Sequence, residues 1–254
     1  MPWQFTTPGE LEQVRAAGRL AWDVLQRVAE RVRPGVTTLE LSELAESLIV
    51  DAGATPTTKG FRFEGDHGPP FPHAASICVN DEVMFGIPDG RVLRQGDVVT
   101  IDLTLRTTLG WHADVATSVA VAGGERAQYI AAGAQAALDA VLAHAKPGAW
   151  WQDVMGHAAE AVGLLGLYLL PGTCGHGIGR AIHEDPWLSY PKGRNVRLAP
   201  GMVLCLEPVV LEQPAEVLTN AQGVATAMGG VWSAFEERMV AITPAGSELL
   251  SRSG

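Results

Sequence analysis

The sequence predicts an α+β fold, with antiparallel strands in one curved sheet and helices over its outer face. Three observations carry this expectation. Helical and strand patterns come in blocks, helices then strands, twice over. Two aspartates, Asp102 and Asp114, interrupt runs that otherwise read as buried paired strands. The motif order of the first half also returns in the second, which suggests two related halves about a pseudo-twofold and not a solenoid. The expected organisation is one domain over 1–254, with halves of about 1–122 and 123–254.

Thr7-Pro8-Gly9-Glu10 reads as a helix start, with Thr as N-cap, Pro at the first helical position and Glu three after the cap. Leu11, Val14, Ala17, Leu20, Ala21, Val24, Leu25 and Val28 keep helical period to about Arg31, and Pro34-Gly35 ends the run. Thr37-Thr38-Leu39-Glu40 is a second capping box. It opens a helix with Leu41, Leu44, Ala45, Leu48 and Ile49 on one face. Residues 53–73 are irregular and carry Phe61, Phe63, His67, Phe71 and His73. Such a loop reads as a pocket wall or lid, or as a surface loop with its own apolar cluster.

Ala75 to Val79 reads as a strand, and Asn80-Asp81-Glu82 as a turn. Val98 to Leu105 and Val115 to Val121 read as strands joined at Thr107-Thr108-Leu109-Gly110. Helices are expected over Glu125 to Ala145 and Trp150 to Val162. Pro171 to Gly179 is too glycine-rich for a helix and should bring backbone close to a neighbour. Strands are expected over 202–210, about 215–219, about 223–227, and 236–243.

The hairpin places Asp102 and Asp114 on adjacent strands. Buried carboxylates are costly unless paired or bound to a metal, and two together repel, so a cation between them accounts for the pattern. Strand-end aspartates in solvent are the plain alternative. The repeat bears on the choice. Leu93 to Asp102 resembles Leu198 to Glu207, the acid lying six residues after Gly96 or Gly201. Asp114 precedes Gly123 and Glu125 at the offsets by which Glu237 precedes Gly246 and Glu248. Val32 to Ile49 resembles Ala145 to Val162, and FGIP at Phe85 resembles HGIG at His176. Asp102 then maps on Glu207, Asp114 on Glu237 and Phe85 on His176. Four acids and one histidine suit hard or borderline ions such as Mn, Fe(II), Co or Zn. Five ligands exceed the need of one ion, so two ions activating a shared water are expected.

Composition narrows the class. The chain has 254 residues, 47% hydrophobic and 18% charged, enough for a sizeable core. A formal net charge of −10 argues against a nucleic-acid surface and is neutral on peptides. No apolar run approaches the roughly 18 residues of a membrane span. Met1 to Phe5 lacks the basic and apolar regions of a signal peptide. Cys78, Cys174 and Cys205 read as reduced core thiols. The expectation is a cytoplasmic protein away from membranes and nucleic acid, and a monomer.

Six motifs carry a resemblance: VNDEVMFGIPDG from Val79, GDVVTIDLTL from Gly96, WHADVATSVAV from Trp111, CGHGIGRAIHEDP from Cys174, LAPGMVLCLEP from Leu198 and FEERMVAITPAGSELL from Phe235. Together they resemble the bacterial type I methionine aminopeptidases, dinuclear metallopeptidases of the pita-bread group, from the Thr7-Pro8 helix start to Leu250. The resemblance implies five metal ligands at Asp102, Asp114, His176, Glu207 and Glu237, the set the repeat also reaches. It implies that His183 hydrogen-bonds the scissile amide and that Glu207 also moves the proton. The substrates it implies are peptide and nascent-chain N-termini.

Departures are as informative. The family's CHGIP is here Met84-Phe85-Gly86-Ile87-Pro88, so its catalytic histidine is Phe85. Ser76 stands where a pocket cysteine is frequent, Ile182 where an aromatic is frequent, and Gly223-Val224 where a tryptophan is expected. Arg238-Met239 follows the last ligand in place of His-Thr. Phe61, Phe63, Ser76, Phe85 and Ile182 are the candidate pocket residues, and His67 and His73 the candidates to replace the missing imidazole. Three readings follow: a methionine-removing aminopeptidase, a same-fold hydrolase of another N-terminal residue or amide, and a weakly active chain-end binder.

Overall fold

The computed structural model describes residues 7–62 and 68–252. Helix α1 (Pro8–Ala29) opens on the expected capping box, with the Glu10 amide donating to Thr7 Oγ1 at 3.2 Å. Helix α2 (Thr38–Asp51) repeats the device with Thr37 and Glu40. The chain then forms β1 (Thr55–Pro56), β2 (Ala75–Val79), β3 (Glu82–Met84), β4 (Val98–Arg106) and β5 (His112–Ala120). Helices α3 (Glu125–His144) and α4 (Trp151–Leu164) follow. The remainder is β6 (Tyr168–Leu169), β7 (Gly172–Gly177), β8 (Glu184–Tyr190), β9 (Val203–Leu206), β10 (Val209–Leu211), β11 (Val217–Thr219), β12 (Ala225–Ala227), β13 (Ser233–Phe235), β14 (Arg238–Thr243) and β15 (Gly246–Leu249).

The repeat read from the sequence is visible in the fold. β2–β4–β5 is an antiparallel run, and β7–β9–β14 is another. α2 and α4 begin and end at the same spacing, each introduced by a Pro-Gly whose glycine has positive φ, 91° at Gly35 and 90° at Gly148. The residue before each helix bridges to matching chain, Thr37 to Val92 and Trp150 to Arg197. α1 and α2 pack on one half through a core that includes Leu25, Ile49, Ile101 and Leu103. α3 and α4 cover the other through Ile130, Trp151, Leu204 and Leu206. The bridge Ala116–Glu237 joins the halves, with amide to carbonyl distances of 3.3 and 3.1 Å.

Two mappings of the repeat do not survive. β7 pairs with β9 as β2 pairs with β4, so the counterpart of His176 lies on β2. Phe85 lies beyond β3, where the Gly86 carbonyl accepts the Ile77 amide. After β5 the chain enters α3, but after β14 it turns into β15, so Gly123 and Glu125 have no structural likeness to Gly246 and Glu248.

The strands expected over 202–210 and 236–243 are each broken at an acid. β9 stops before Glu207-Pro208, because Pro208 offers no amide to continue a ladder. β14 is separated from β13 by Glu236-Glu237, because the Glu237 backbone pairs with Ala116 on β5. β8 has no clear signal in the sequence, because its alternation around Pro186 is short and follows a Gly-rich run. Among the described residues no helix is long and apolar enough to cross a membrane. The reading of Met1 to Phe5 lies outside the described residues.

Candidate metal centre

Asp102 is opposite Ala116 in the β4–β5 ladder, and Asp114 is opposite Thr104. Residues opposite each other, or two apart on one strand, share a face, so both carboxylates project from the same side of the hairpin. His176 is brought to that side by β7. Two glycines allow the approach: a Cβ on Gly175 would meet the Cys205 carbonyl oxygen at 2.5 Å, and one on Gly177 the Asp185 carbonyl oxygen at 2.4 Å. This is the close backbone packing expected of the Pro171 to Gly179 stretch. Glu207 and Glu237 enter from the two strand breaks.

The five residues converge. His176 Nε2 lies 3.8 Å from Asp114 Oδ2, 3.8 Å from Glu207 Oε1 and 3.9 Å from Glu237 Oε1. Asp102 lines the same cavity, and its charge raises the pKa of Asp114, Glu207 and Glu237. Asp114 Oδ1 and Glu237 Oε1 are buried with no hydrogen-bond partner. Glu236, adjacent in sequence, faces elsewhere. It accepts from Thr117 Oγ1 at 3.0 Å, from the Ser118 amide at 2.8 Å and from Arg238 Nη2 at 2.9 Å.

Without a cation the cluster is electrostatically costly. Burial pushes Asp102 up to about 7, and burial together with Asp102 pushes Glu207 up to about 8. Burial and neighbouring carboxylates raise Asp114 and Glu237 well above the usual range. Burial, helped by His183, lowers His176 to about 3, so the imidazole is neutral near pH 7. Its Nδ1 lies 2.9 Å from the Gly177 carbonyl, which leaves the Nε2 lone pair toward the acids when Nδ1 carries the proton. A neutral imidazole and four carboxylates, two of which hold a buried oxygen without a partner, are a donor set that fits divalent cations.

A cavity of about 370 Å³ opens on this cluster. Its walls include Phe61, Phe85, Ile182, His183 and Trp187. The His183 ring is edge-on to Phe61 at 5.1 Å and stacks on Trp187 at 5.2 Å. Burial, with His112, lowers His183 to about 4. Trp187 escaped the sequence reading because β8 did. His112 escaped it too, although it stands two before Asp114 and therefore on the same strand face; its Nδ1 is buried without a partner.

Three pocket expectations change. Ser76 is buried and does not line the cavity; its hydroxyl pairs at 3.7 Å with Cys78 Sγ, which also accepts the Gly86 amide at 3.3 Å. His73 does not line the cavity either, and packs edge-on to Phe71 at 6.5 Å. Gly223 lines a neighbouring cleft with Phe61 and Phe85 and not the main cavity. Phe63 and His67 lie outside the described residues.

Residues 12–244 match Metallopeptidase family M24. The chain is 35% identical to a methionine aminopeptidase of Clostridium perfringens, covering 95% of this chain and 96% of that protein. It is 34% identical to the methionine aminopeptidase of Escherichia coli, covering 96% and 92% respectively. The crystal structure of methionine aminopeptidase from Rickettsia prowazekii superposes with a TM-score of 0.90 at 26% identity, over 99% of this chain and 100% of that one. The architecture is the pita-bread fold.

Proposed function

The chain belongs to metallopeptidase family M24, and from that premise we propose that Asp102, Asp114, His176, Glu207 and Glu237 hold two divalent ions. It is a metal-dependent aminopeptidase of the methionine aminopeptidase type. The ions are drawn from Co, Mn, Fe(II) and Zn, by the oxygen-rich donor set with one imidazole. The observation that carries the ligand reading is the pair of buried, unpartnered oxygens, Asp114 Oδ1 and Glu237 Oε1, on two carboxylates that each approach the neutral His176 ring. When bound, the ions supply Lewis acidity, which makes hydroxide accessible near neutral pH.

The chain's own groups do the rest. The cavity encloses the side chain of the N-terminal residue between Phe61, Phe85, Ile182 and Trp187. His183, neutral and held between Phe61 and Trp187, hydrogen-bonds the scissile amide. Glu207, beside His176, takes a proton from the attacking water and passes it to the leaving amine. The substrates are peptide and nascent-chain N-termini, acted on by a cytoplasmic monomer. Residues 1–254 form one domain whose halves meet at about residues 122 and 123.

A second reading keeps the centre and changes the substrate. It is favoured by Phe85 and Trp187, two aromatic walls that narrow the cavity beside His183. One experiment addresses both: metal analysis after dialysis for wild type and Asp102→Ala, then cleavage of X-Ala-Ser peptides with each metal. Two ions per chain and preference for methionine are expected. A folded wild type that retains no ion overturns the ligand reading. Preference for another first residue selects the second reading.

A further inference from the structure

The sequence reads Cys205 as a core thiol, but the fold sets it against the acids. Its Sγ, an Asp114 carboxylate oxygen, a His176 ring nitrogen and a Glu237 carboxylate oxygen all lie within 4.8 Å of one another. All four residues are buried. Cys205 is opposite His176 in the β7–β9 ladder, which aims both side chains to one side. The other two thiols are engaged elsewhere. Cys78 accepts the Gly86 amide at 3.3 Å, and Cys174 donates to the Leu188 carbonyl at 3.6 Å. The Cys205 thiol lies within 4.8 Å of a Glu237 carboxylate oxygen and reaches the Asp114 carbonyl only at 3.9 Å. Two oxygens of the same cluster, Asp114 Oδ1 and Glu237 Oε1, have no partner.

We propose that Cys205 gives the centre a sulfur donor, so that Asp114, His176, Cys205 and Glu237 form a four-donor site for a thiophilic divalent ion of the zinc and cadmium class. The inference rests on the ligand reading of Asp114, His176 and Glu237. Donors around a tetrahedral ion with bonds of 2.0–2.3 Å stand about 3.3–3.8 Å apart, so the cluster needs only a small contraction. As the sulfur–metal bond forms, the thiol proton leaves to solvent. A hard ion such as Mn gains little from sulfur, so the fourth donor tilts the centre toward softer metals.

Cd is the probe, added to the full chain after chelator treatment, with bound Cd and near-ultraviolet thiolate-to-metal absorption both measured. The Cys78→Ser/Cys174→Ser double variant leaves Cys205 as the only thiol, since the chain has 3 cysteines. It should bind Cd with the full absorption band. Cys205→Ser and Cys205→Thr should lose the band and bind Cd at least tenfold more weakly, with Mn affinity unchanged. Cd bound without the band in wild type or in the double variant overturns the proposal and leaves the ligand reading standing. Failure of wild type to bind Cd or Mn at all overturns the ligand reading itself.

Discussion

Phe85 holds a left-handed backbone conformation, φ 58°. A bulky residue with positive φ is an outlier, whereas histidine is enriched in that region. Its ring stacks parallel to Phe61, 6.4 Å between centroids, and walls the cavity beside His183. An imidazole there could donate to the tetrahedral oxygen or to the amide nitrogen, a contribution of about 10²–10⁴-fold in rate. Phe offers only apolar surface. The expected outcome is slow turnover of methionyl peptides by wild type and a rise in kcat/KM of about tenfold or more in Phe85→His. The comparison needs wild type, Phe85→His and His183→Ala on one tripeptide with one metal. If wild type is already fast and Phe85→His slows it, another group does the histidine's work. His67 is then the first to mutate, since His73 lies away from the cavity.

The strands that carry the acids are fixed by a buried joint between β5 and β14. Arg238 Nη1 donates to the Ala116 carbonyl at 2.7 Å and to the Glu237 carbonyl at 2.8 Å. Its Nη2 pairs with Glu236 at 2.9 Å, and its guanidinium lies 4.0 Å over the Trp22 ring of α1. The departure from His-Thr after the last ligand is therefore a structural tie between helix, hairpin and ligand strand. Removing one partner of a buried pair leaves an uncompensated charge and costs about 3–5 kcal/mol. Arg238→Ala should lose that much in denaturant unfolding, and because the Glu237 backbone loses its anchor, metal affinity should fall too. A loss under 1 kcal/mol would show that water replaces the pair. On β7, Gly175 has the same positional role for His176, since any side chain would collide with the Cys205 carbonyl.

At the scale of the whole chain, folding gathers four carboxylates from two halves, and the metal-free state bears the cost. A carboxyl with a raised folded pKa contributes stability that is complete below its unfolded value and is lost as pH rises through the folded one. Asp102 and Glu207, raised to about 7 and about 8, place that loss between about pH 4 and pH 8. His176 and His183, lowered from 6.5 to about 3 and about 4, act in the opposite sense, and their effect is complete above pH 6.5. Between pH 6.5 and 8 only the carboxylates still change. The chelated protein should therefore melt at progressively lower temperature across that interval. Added metal should flatten the slope and raise Tm, with about 2.7 kcal/mol gained at a hundredfold excess over Kd. Melting curves at pH 6.5 and 8, with and without chelator, are the measurement. Identical curves on protein that carried metal beforehand would argue against a buried ion site.

Local chemistry made much of this legible in the sequence. Capping boxes at Thr7 and Thr37 set helix starts, because the side chains that satisfy free amides are three residues apart in the chain. Buried strand-like runs on either side of the Thr107-Thr108-Leu109-Gly110 turn set the β4–β5 hairpin, and the spacing of glycine to acid in two places pointed to Asp102 and Glu207. Resemblance supplied His183. What the sequence left undecided depends on non-local pairing. Ser76 stays off the cavity with its hydroxyl on Cys78 Sγ, the same sulfur that takes the Gly86 amide where Gly86 packs on β2. Glu236 and Glu237 part company because the backbone of one acid bridges to β5 while the side chain of the other meets Arg238. Trp187 reaches His183 only because β8 folds back on β7, and Cys205 meets the acids only because β9 lies beside it. Residue identity and local spacing fix a donor set and its chemistry; which neighbours enclose it is decided when strands distant in sequence are placed side by side.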